Sequence, residues 1–295
     1  MKIDVLCIGA TSHDLYFTIP HDPKSDEKMV ADQFISCGGG PASNAAMTVS
    51  QLGHKSAFAG YLGNDFYGET HHHELADAGV ITDFIVHGDK ATPLSVILVK
   101  PNGERLLVNY TESQDKIPSG SIDFDNVEAK VILCDGHEPD ISLPLLKSAR
   151  KRRTKSILDA GSVHRGTRML LNQVDYLICS EKFAIDYTPD KSSASALKKL
   201  AQNHARVIIT MGKAGLIWKA NSETGIIPAF EIEAIDSTGA GDVFHGAFAS
   251  CLVEERSWDF SLKFASAAAA LSCRYFGGRP KLPPKCEILK FMRQA

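Results

Sequence analysis

The stretch that decides the fold is DSTGAGDVFHGAF, residues 236–248. In it three small residues, Gly239, Ala240 and Gly241, run directly into the carboxylate of Asp242. Apolar residues then recur at helical spacing, which predicts a loop that opens a helix with Asp242 in its first turn. The N–H groups of a helix start attract anions, and small residues let a phosphate approach the backbone. The stretch indicates an anion site beside an ionised aspartate; a capping aspartate after a flexible loop is the alternative.

A second glycine-rich stretch, CGGGPASNAA, occupies residues 37–46. Pro41 suits the first position of a helix, and the glycines before it allow a ligand to approach the backbone near Gly40. Asn44 would then project an amide from the first turn, and an amide both donates to and accepts from a sugar hydroxyl. Asp14, just after the first apolar run, is a third candidate for binding hydroxyls. Taken singly, each of these residues also fits a turn or a cap.

The chain alternates short apolar runs with helical patterns. This alternation predicts βαβ units, with a mostly parallel sheet covered by helices on both faces. Buried strands are predicted at 3–10, 56–63, 130–136, 155–161, 175–180 and 206–212. Because neither a repeat nor a Pro/Ser-rich linker interrupts the chain, residues 1–295 are interpreted as one domain.

Two segments, 15–35 and 93–110, break the alternation and have the pattern of paired strands. The second contains PNGE, a strong hairpin-turn signal. We expect the two segments to form a small sheet that stands off the main body as a lid over a site. A surface meander without a role is the alternative.

Composition excludes several classes of protein. Among 295 residues, 44% are hydrophobic and 23% charged, and the net charge of −3 carries no signature of nucleic-acid binding. No apolar run is long enough to span a membrane. The seven cysteines form no CxxC pair, so we expect reduced thiols and a cytoplasmic protein.

The consecutive histidines 71–73 are interpreted as a solvated helix face. Neither a GxxxxGK[ST] loop nor a GxGxxG after the first strand is present, so a P-loop or dinucleotide site is not supported.

With CGGGPASNAA near one end and DSTGAGDVFHGAF near the other, the chain resembles the PfkB family of carbohydrate kinases. Both stretches match the family's signature regions, in the right order and at the usual distance. The resemblance covers the whole chain. It implies the ribokinase-like fold, a three-layer α/β/α sandwich with a mostly parallel central sheet and a small β-sheet lid. It also implies transfer of the γ-phosphoryl group of ATP to a hydroxyl of a small carbohydrate, a ketose or related monosaccharide.

The resemblance further assigns roles to particular residues. Asp242 matches the general base, and the backbone of Gly239, Ala240 and Gly241 matches the anion hole. The positions implied for sugar binding are Asp14, Gly40, Asn44, Asn109, Asp135 and His137. Those implied for the nucleotide are Thr210, Gly212, Gly215, Gly277 and Gly278. Glu181 looks like the acidic residue that helps organise Mg²⁺, although Ser180 stands before it and the family's asparagine is not evident; Asp236 resembles a monovalent-cation site for K⁺.

Substrate and assembly are left open by the motifs. A nucleoside kinase, a sulfosugar kinase and a non-catalytic sugar-binding regulator on the same fold are the alternatives. In motif style, the PASN variant and the SDEK before it look closest to ketohexokinase-like and sulfofructose-kinase-like members. The latter bind the sulfonate with an arginine near the position of His137, and this chain has none there. The strand pattern LSVILVK in the second inserted segment would leave an exposed edge, which predicts a homodimer through the lid.

Overall fold

The computed structural model describes residues 1–111, 117–277, 279 and 282–294. Its strands are β1 (Lys2–Ile8), β2 (Ser12–Thr18), β3 (Phe34–Gly39), β4 (Ser56–Gly63), β5 (Ile81–Gly88), β6 (Leu94–Val99), β7 (Arg105–Tyr110), β8 (Glu128–Cys134), β9 (Lys155–Ala160), β10 (Tyr176–Ser180), β11 (Arg206–Thr210), β12 (Leu216–Ala220) and β13 (Glu223–Ile227). Its helices are α1 (Pro41–Gln51), α2 (Phe66–Asp77), α3 (Pro139–Arg152), α4 (Arg165–Leu170), α5 (Glu181–Tyr187), α6 (Ser193–Leu200), α7 (Ala240–Val253), α8 (Trp258–Ser272) and α9 (Lys285–Gln294). Within these ranges, every helix is too short or too polar to cross a lipid bilayer.

A nine-stranded sheet forms the middle layer, in the order β13-β12-β11-β10-β9-β8-β1-β4-β5. The strands from β11 to β5 run parallel, and β12 and β13 add an antiparallel edge. Each predicted buried run forms one of these strands. The prediction of a mostly parallel sheet is therefore confirmed.

Both faces of this sheet are buried, which makes the molecule three layers deep. Along β1, Val5 and Cys7 point into one core, whereas Leu6 and Ile8 point into the other, as the two-residue period of a strand requires. The first core is closed by α1, α7 and α8, and the second by α3, α5 and α6. The predicted α/β/α sandwich is confirmed.

A separate four-stranded sheet has the order β3-β2-β6-β7. β2 pairs antiparallel with β3 and parallel with β6, and β6 and β7 form the hairpin that PNGE predicts. The two inserted segments do make a second sheet, but the first extends beyond its predicted bounds. β2 begins at Ser12, and Ser12 pairs with Gly39, so the first glycines of the 37–46 stretch belong to a strand rather than to a loop.

The histidines 71–73 lie on α2, and the prediction of a solvated face is wrong for His71. Its side chain is fully buried, like that of Leu75 one turn later, whereas His73 is exposed. Successive helical residues are turned by about 100°, so three in a row cannot all face solvent on a packed helix. Burial, together with the nearby Arg279 charge, holds the pKa of His71 well below its usual range.

Candidate active site

Two adjoining cavities lie at the carboxyl ends of the parallel strands, where open α/β sheets bind ligands. The first cavity, of 360 Å³, lies between the loop after β1, the start of α1 and the small sheet. The second cavity, of 210 Å³, lies at the ends of β8, β9, β10 and β11. Asp242 lines both cavities. It therefore occupies the boundary between them.

The start of α7 has the geometry of an anion site. Gly239 caps the helix in the left-handed conformation, with φ of 75°, so that the first turn begins at Ala240. The amides of a first turn lack intrahelical acceptors, and the Ala240 N–H has only a 3.3 Å bond to the Ser237 carbonyl. Gly241 is exposed and lines the second cavity. The predicted helix start is confirmed, with its backbone open to an anion from the second cavity.

Asp242 is not the freely ionised carboxylate that its helix position predicts. Burial, together with the nearby carboxylate of Asp159, raises the pKa of Asp242 to about 7. The hydrogen bond from Asn44 and the charge of His245 act in the opposite direction but do not outweigh them. Since two carboxylates near one cavity disfavour each other's ionisation, this part of the expectation was wrong. Asp242 is poised to bind or release a proton near neutral pH.

Gly40, the residue before α1, and Asn44, in the first turn of α1, both line the first cavity. The Asn44 Nδ2 donates to the Asp242 Oδ2 over 2.7 Å, which ties the starts of α1 and α7 together. Gly40 caps α1 at φ of 99°, and a Cβ there would lie 2.5 Å from the Ala10 carbonyl oxygen. Only glycine allows this approach of α1 to the loop after β1.

The small sheet forms the other wall of the first cavity. Asp14 on β2 is buried, and its carboxylate accepts hydrogen bonds from Ser12 (2.6 Å) and Tyr16 (3.3 Å). Burial raises the pKa of Asp14, although those hydroxyls and Arg279 oppose the shift. Asn109 on β7 lines the same cavity, opposite Ser95 of β6. Polar groups thus converge from both halves of the small sheet.

Asp135 and His137 follow β8, but they do not occupy equivalent positions. Asp135 lines the second cavity, not the first. Its buried carboxylate accepts from the backbone N–H groups of Ala10 (2.8 Å), Ala42 (3.2 Å) and His137 (2.8 Å). Burial alone would raise the pKa of Asp135, but His137 and these amides hold it below its ordinary value. Asp135 thus ties three backbone segments together, whereas His137 lines both cavities.

Of the residues predicted for the nucleotide, only Thr210 lines the second cavity among those that the structure describes. Thr210 is the last residue of β11. In the loop after it, Gly212 and Gly215 have positive φ, and a Cβ at Gly215 would lie 2.1 Å from the Ile227 carbonyl oxygen. Gly277 also has positive φ, at 89°. Gly278 lies outside the described residues.

The two predicted cation-binding carboxylates have different surroundings. Glu181 is exposed at the start of α5 and accepts a hydrogen bond from Ser193. Asp236 is buried and accepts from the Thr238 N–H (2.9 Å), the Thr238 hydroxyl (2.7 Å) and the Gly277 N–H (3.0 Å). Over the described ranges, no group of three or more His, Cys, Asp or Glu is placed to hold a metal by itself.

Three residues of the site were missed from the sequence. Asp159, at the end of β9, is buried in the second cavity with a pKa raised to about 7 by burial and by Asp135. His245 on α7 lies 3.3 Å from the Asp159 carboxylate. Arg279 is buried beside Asn44. The one available signal for Asp159 was a carboxylate inside the otherwise apolar strand run 155–161. The contacts of His245 and Arg279 depend on long-range packing.

Comparison with known proteins places this geometry in a family. The model of the pfkB family of carbohydrate kinases matches residues 2–285. Ribokinase of Bacillus subtilis (strain 168) is 28% identical over 292 residues, which cover 97% of this chain and 98% of that protein. Fructokinase-1 of Oryza sativa subsp. japonica is 27% identical, covering 90% and 91% of the two chains. The structure of Arabidopsis thaliana ribokinase complexed with ribose and ATP matches with a TM-score of 0.86 at 25% identity, over 99% of each chain. The chain belongs to the pfkB family of carbohydrate kinases.

Proposed function

We propose that the protein transfers the γ-phosphoryl group of ATP to a hydroxyl of a small neutral sugar, a ketose or related monosaccharide. The observation that carries the proposal is the position of Asp242 between the two cavities. A sugar in the first cavity and the ATP phosphates in the second would meet at this carboxylate. The named ribokinase and fructokinase relatives, and the ribose and ATP of the Arabidopsis complex, support a sugar and ATP as the two ligands.

In the proposed reaction, Asp242 accepts the proton of the sugar hydroxyl as that oxygen attacks the γ-phosphorus of ATP, and the bond from this phosphorus to the bridging oxygen breaks to release ADP. The Asn44 amide holds the base in place through its 2.7 Å hydrogen bond. The open amides at the start of α7 stabilise negative charge on the transferring phosphoryl group. Asp14 and Asn109, from the small sheet, bind other hydroxyls and orient the sugar, while the sheet excludes water. For Asp135 we propose an indirect role, since its oxygens are bonded to backbone amides.

The proposed ATP site includes Thr210, the loop of Gly212 and Gly215, and Gly277. Mg²⁺ is commonly held by one or two carboxylates together with water and substrate phosphates, rather than by an all-protein cluster. The exposed Glu181, which follows the cavity-lining Ser180, fits such an indirect role. Mg²⁺ bound there would neutralise phosphate charge.

Asp236 fits a K⁺ site less well. Three donors from Thr238 and Gly277 already occupy most of its carboxylate lone pairs. We therefore assign Asp236 to ordering the loop before α7 and derive no step through K⁺.

The test of the proposal is ATP consumption with a panel of ketoses, aldoses, sulfosugars and nucleosides, with thermal-shift binding in parallel. We expect ATP turnover with a neutral monosaccharide. Sugar binding without turnover would instead indicate a regulator, and turnover only with nucleosides would indicate a nucleoside kinase.

We expect the enzyme to disfavour sugars with an anionic group facing His137. No Lys or Arg lines the first cavity among the described residues, whereas the carboxylates of Asp14, Glu138 and Asp242 do. Among the described residues, an anion there has no fixed cationic partner, and these carboxylates repel it when they are ionised. The measurement is kcat/KM at pH 7.5 for fructose against sulfofructose and fructose phosphates. A preference for an anionic sugar by more than about tenfold, roughly 1.4 kcal/mol, would overturn this reading.

The proposed base also predicts how activity depends on pH. Only ionised Asp242 accepts a proton, and in the free protein its pKa is raised to about 7, first by burial and then by Asp159. We expect kcat/KM for the sugar to rise with pH and to level off above about pH 7, because kcat/KM reports the free enzyme. A flat profile between pH 5 and 8 would contradict the assignment.

We also propose a homodimer through the outer face of the small sheet. On β7, Leu107 and Asn109 face the first cavity, while the alternate residues Leu106, Val108 and Tyr110 are 42%, 57% and 55% exposed. The prediction that LSVILVK leaves an exposed edge is wrong, because β6 pairs with both β2 and β7, and β7 is the edge strand. An apolar face on this edge strand favours pairing with a second copy. Light scattering at micromolar concentration should give a dimer mass, and Val108→Lys should give a monomer. A monomeric mass for the unmodified protein would refute the proposal.

A further inference from the structure

Arg279 is a buried cation that the proposed reaction does not use. Its side chain is only 4% exposed, and its guanidinium donates to three groups from two helices. Nε donates to the Asn44 Oδ1 (3.0 Å), Nη2 to the Ser43 hydroxyl (2.9 Å), and Nη1 to the Glu74 Oε2 on α2 (3.2 Å). Burying a guanidinium is costly, and this one lies directly behind the wall of the first cavity.

The bond from Arg279 determines which way the Asn44 amide faces. Because Nε donates to Oδ1, the other end of the amide, Nδ2, is turned to the Asp242 carboxylate. A flipped amide would set its oxygen against that carboxylate and its NH₂ against the guanidinium. Both contacts would then be repulsive. The planar fork of arginine, held by Glu74 and Ser43, makes this orientation a fixed one.

We propose that Arg279 is a positioning residue, which orients Asn44 so that its amide hydrogen-bonds and holds the proton acceptor Asp242. This inference rests on the proposed function, since it concerns the base of that reaction. Arg279 lines neither cavity. It acts on Asp242 through Asn44, and its charge separately lowers the pKa of Asp14, so the titration of Asp242 itself is the readout that isolates the proposed role.

The proposal predicts a change in the titration of Asp242. The groups that act on this carboxylate are Asn44 on α1, Asp135 after β8, Asp159 on β9, and His245 on α7 itself. The two aspartates raise the pKa of Asp242, whereas Asn44 and His245 lower it. When Arg279 is lost, the Asn44 amide is released and its lowering effect weakens. The pKa of Asp242 should then rise further.

The test is a double-mutant cycle of Arg279→Gln, Asn44→Ala and the combined variant. We expect R279Q to shift the acidic limb of the kcat/KM profile to higher pH by about one unit. At a fixed pH on that limb, the ionised fraction of Asp242 should then be roughly tenfold lower. The combined variant should behave like N44A alone. Arg256→Gln, which removes an arginine paired with Glu254 far from the cavities, is the matched control and should titrate like the unmodified protein. The proposal would be overturned if the effects of R279Q and N44A on the profile were additive. It would also be overturned if the acidic limb of folded R279Q stayed at the pH of the unmodified protein.

Two further arms keep the test decisive. If R279Q does not fold, Arg279→Lys replaces it, since a point charge cannot hold three acceptors in one plane. A folded R279K that titrates like the unmodified protein would equally overturn the proposal. The ¹³C carboxyl signal of Asp242, identified by its loss in Asp242→Asn, reports the same pKa without turnover. That signal tests the inference even if no sugar is phosphorylated, so its failure is distinguishable from failure of the proposed function.

Discussion

Asp242→Asn is expected to lower kcat by about a hundredfold or more while leaving sugar binding intact. This is the range for the loss of a general base. Asparagine keeps the shape of the side chain, and its oxygen can still accept from the Asn44 Nδ2, which lies 2.7 Å from the present carboxylate. The measurements are kcat at saturating ATP and sugar, and sugar affinity by calorimetry.

The matched control is Asp259→Asn. Asp259 also lies in the first turn of a helix, α8, but on the surface, where it pairs with Lys263. Its replacement should leave kcat unchanged. If purified, folded Asp242→Asn turned over at a rate near that of the unmodified protein, Asp242 would not be the base.

The same replacement should stabilise the fold at alkaline pH. The folded pKa of Asp242 is about 7, above the value of about 3.9 in an unfolded chain. Between those two pH values the folded protein holds a proton on Asp242 that the unfolded chain has released. The free energy of unfolding therefore falls as pH rises through this window. Asparagine does not ionise, so it removes this loss of stability. We expect the Tm at pH 8 to increase by at least about 2 °C, with little change at pH 4; an unchanged Tm at pH 8 would contradict the raised pKa.

The layers of the fold were predictable because each strand of the large sheet is decided by a local pattern. Runs such as 130–136 and 206–212 are apolar on both faces, and only a sheet covered on both sides buries them. The small sheet was predictable because segments 15–35 and 93–110 interrupt the alternation of apolar runs and helical patterns. Its bounds were not, since the pairing of Ser12 with Gly39 brings a glycine stretch into a strand. Glycine disfavours strands by itself, and here tertiary pairing outweighs that preference.

The site was predictable where a motif places a residue at a helix start, as at Asp242 and Asn44. The pKa of Asp242 and the orientation of the Asn44 amide could not be predicted from the sequence, because packing determines both. The raised pKa of Asp242 depends on Asp159, which is 83 positions earlier in the chain and adjacent only because β9 ends beneath α7. The orientation of Asn44 depends on Arg279, 235 positions away. Such contacts follow from topology and not from local spacing.

Asp14→Ala is expected to raise the KM for the sugar by about a hundredfold or more and to leave the KM for ATP unchanged. Asp14 lines the first cavity and not the second, so it would contact only the sugar. A hydrogen bond to a charged group contributes about 1.5–3 kcal/mol. In the proposed binding mode Asp14 accepts from two hydroxyls of the sugar, so its replacement by alanine removes two such bonds. Since Asp242 and the amides of α7 remain in place, kcat should fall much less than kcat/KM.

The control for this variant is Asp22→Ala. Asp22 is an exposed aspartate that follows the same strand and pairs with Lys100 at the outer end of the small sheet. Its loss should alter neither KM. Because Asp14 also accepts from Ser12 and Tyr16 within its own strand, a merely structural role would lower the Tm without a selective effect on the sugar. A sugar KM within about threefold of that of the unmodified protein, a difference of less than 1 kcal/mol, would place the sugar elsewhere in the molecule.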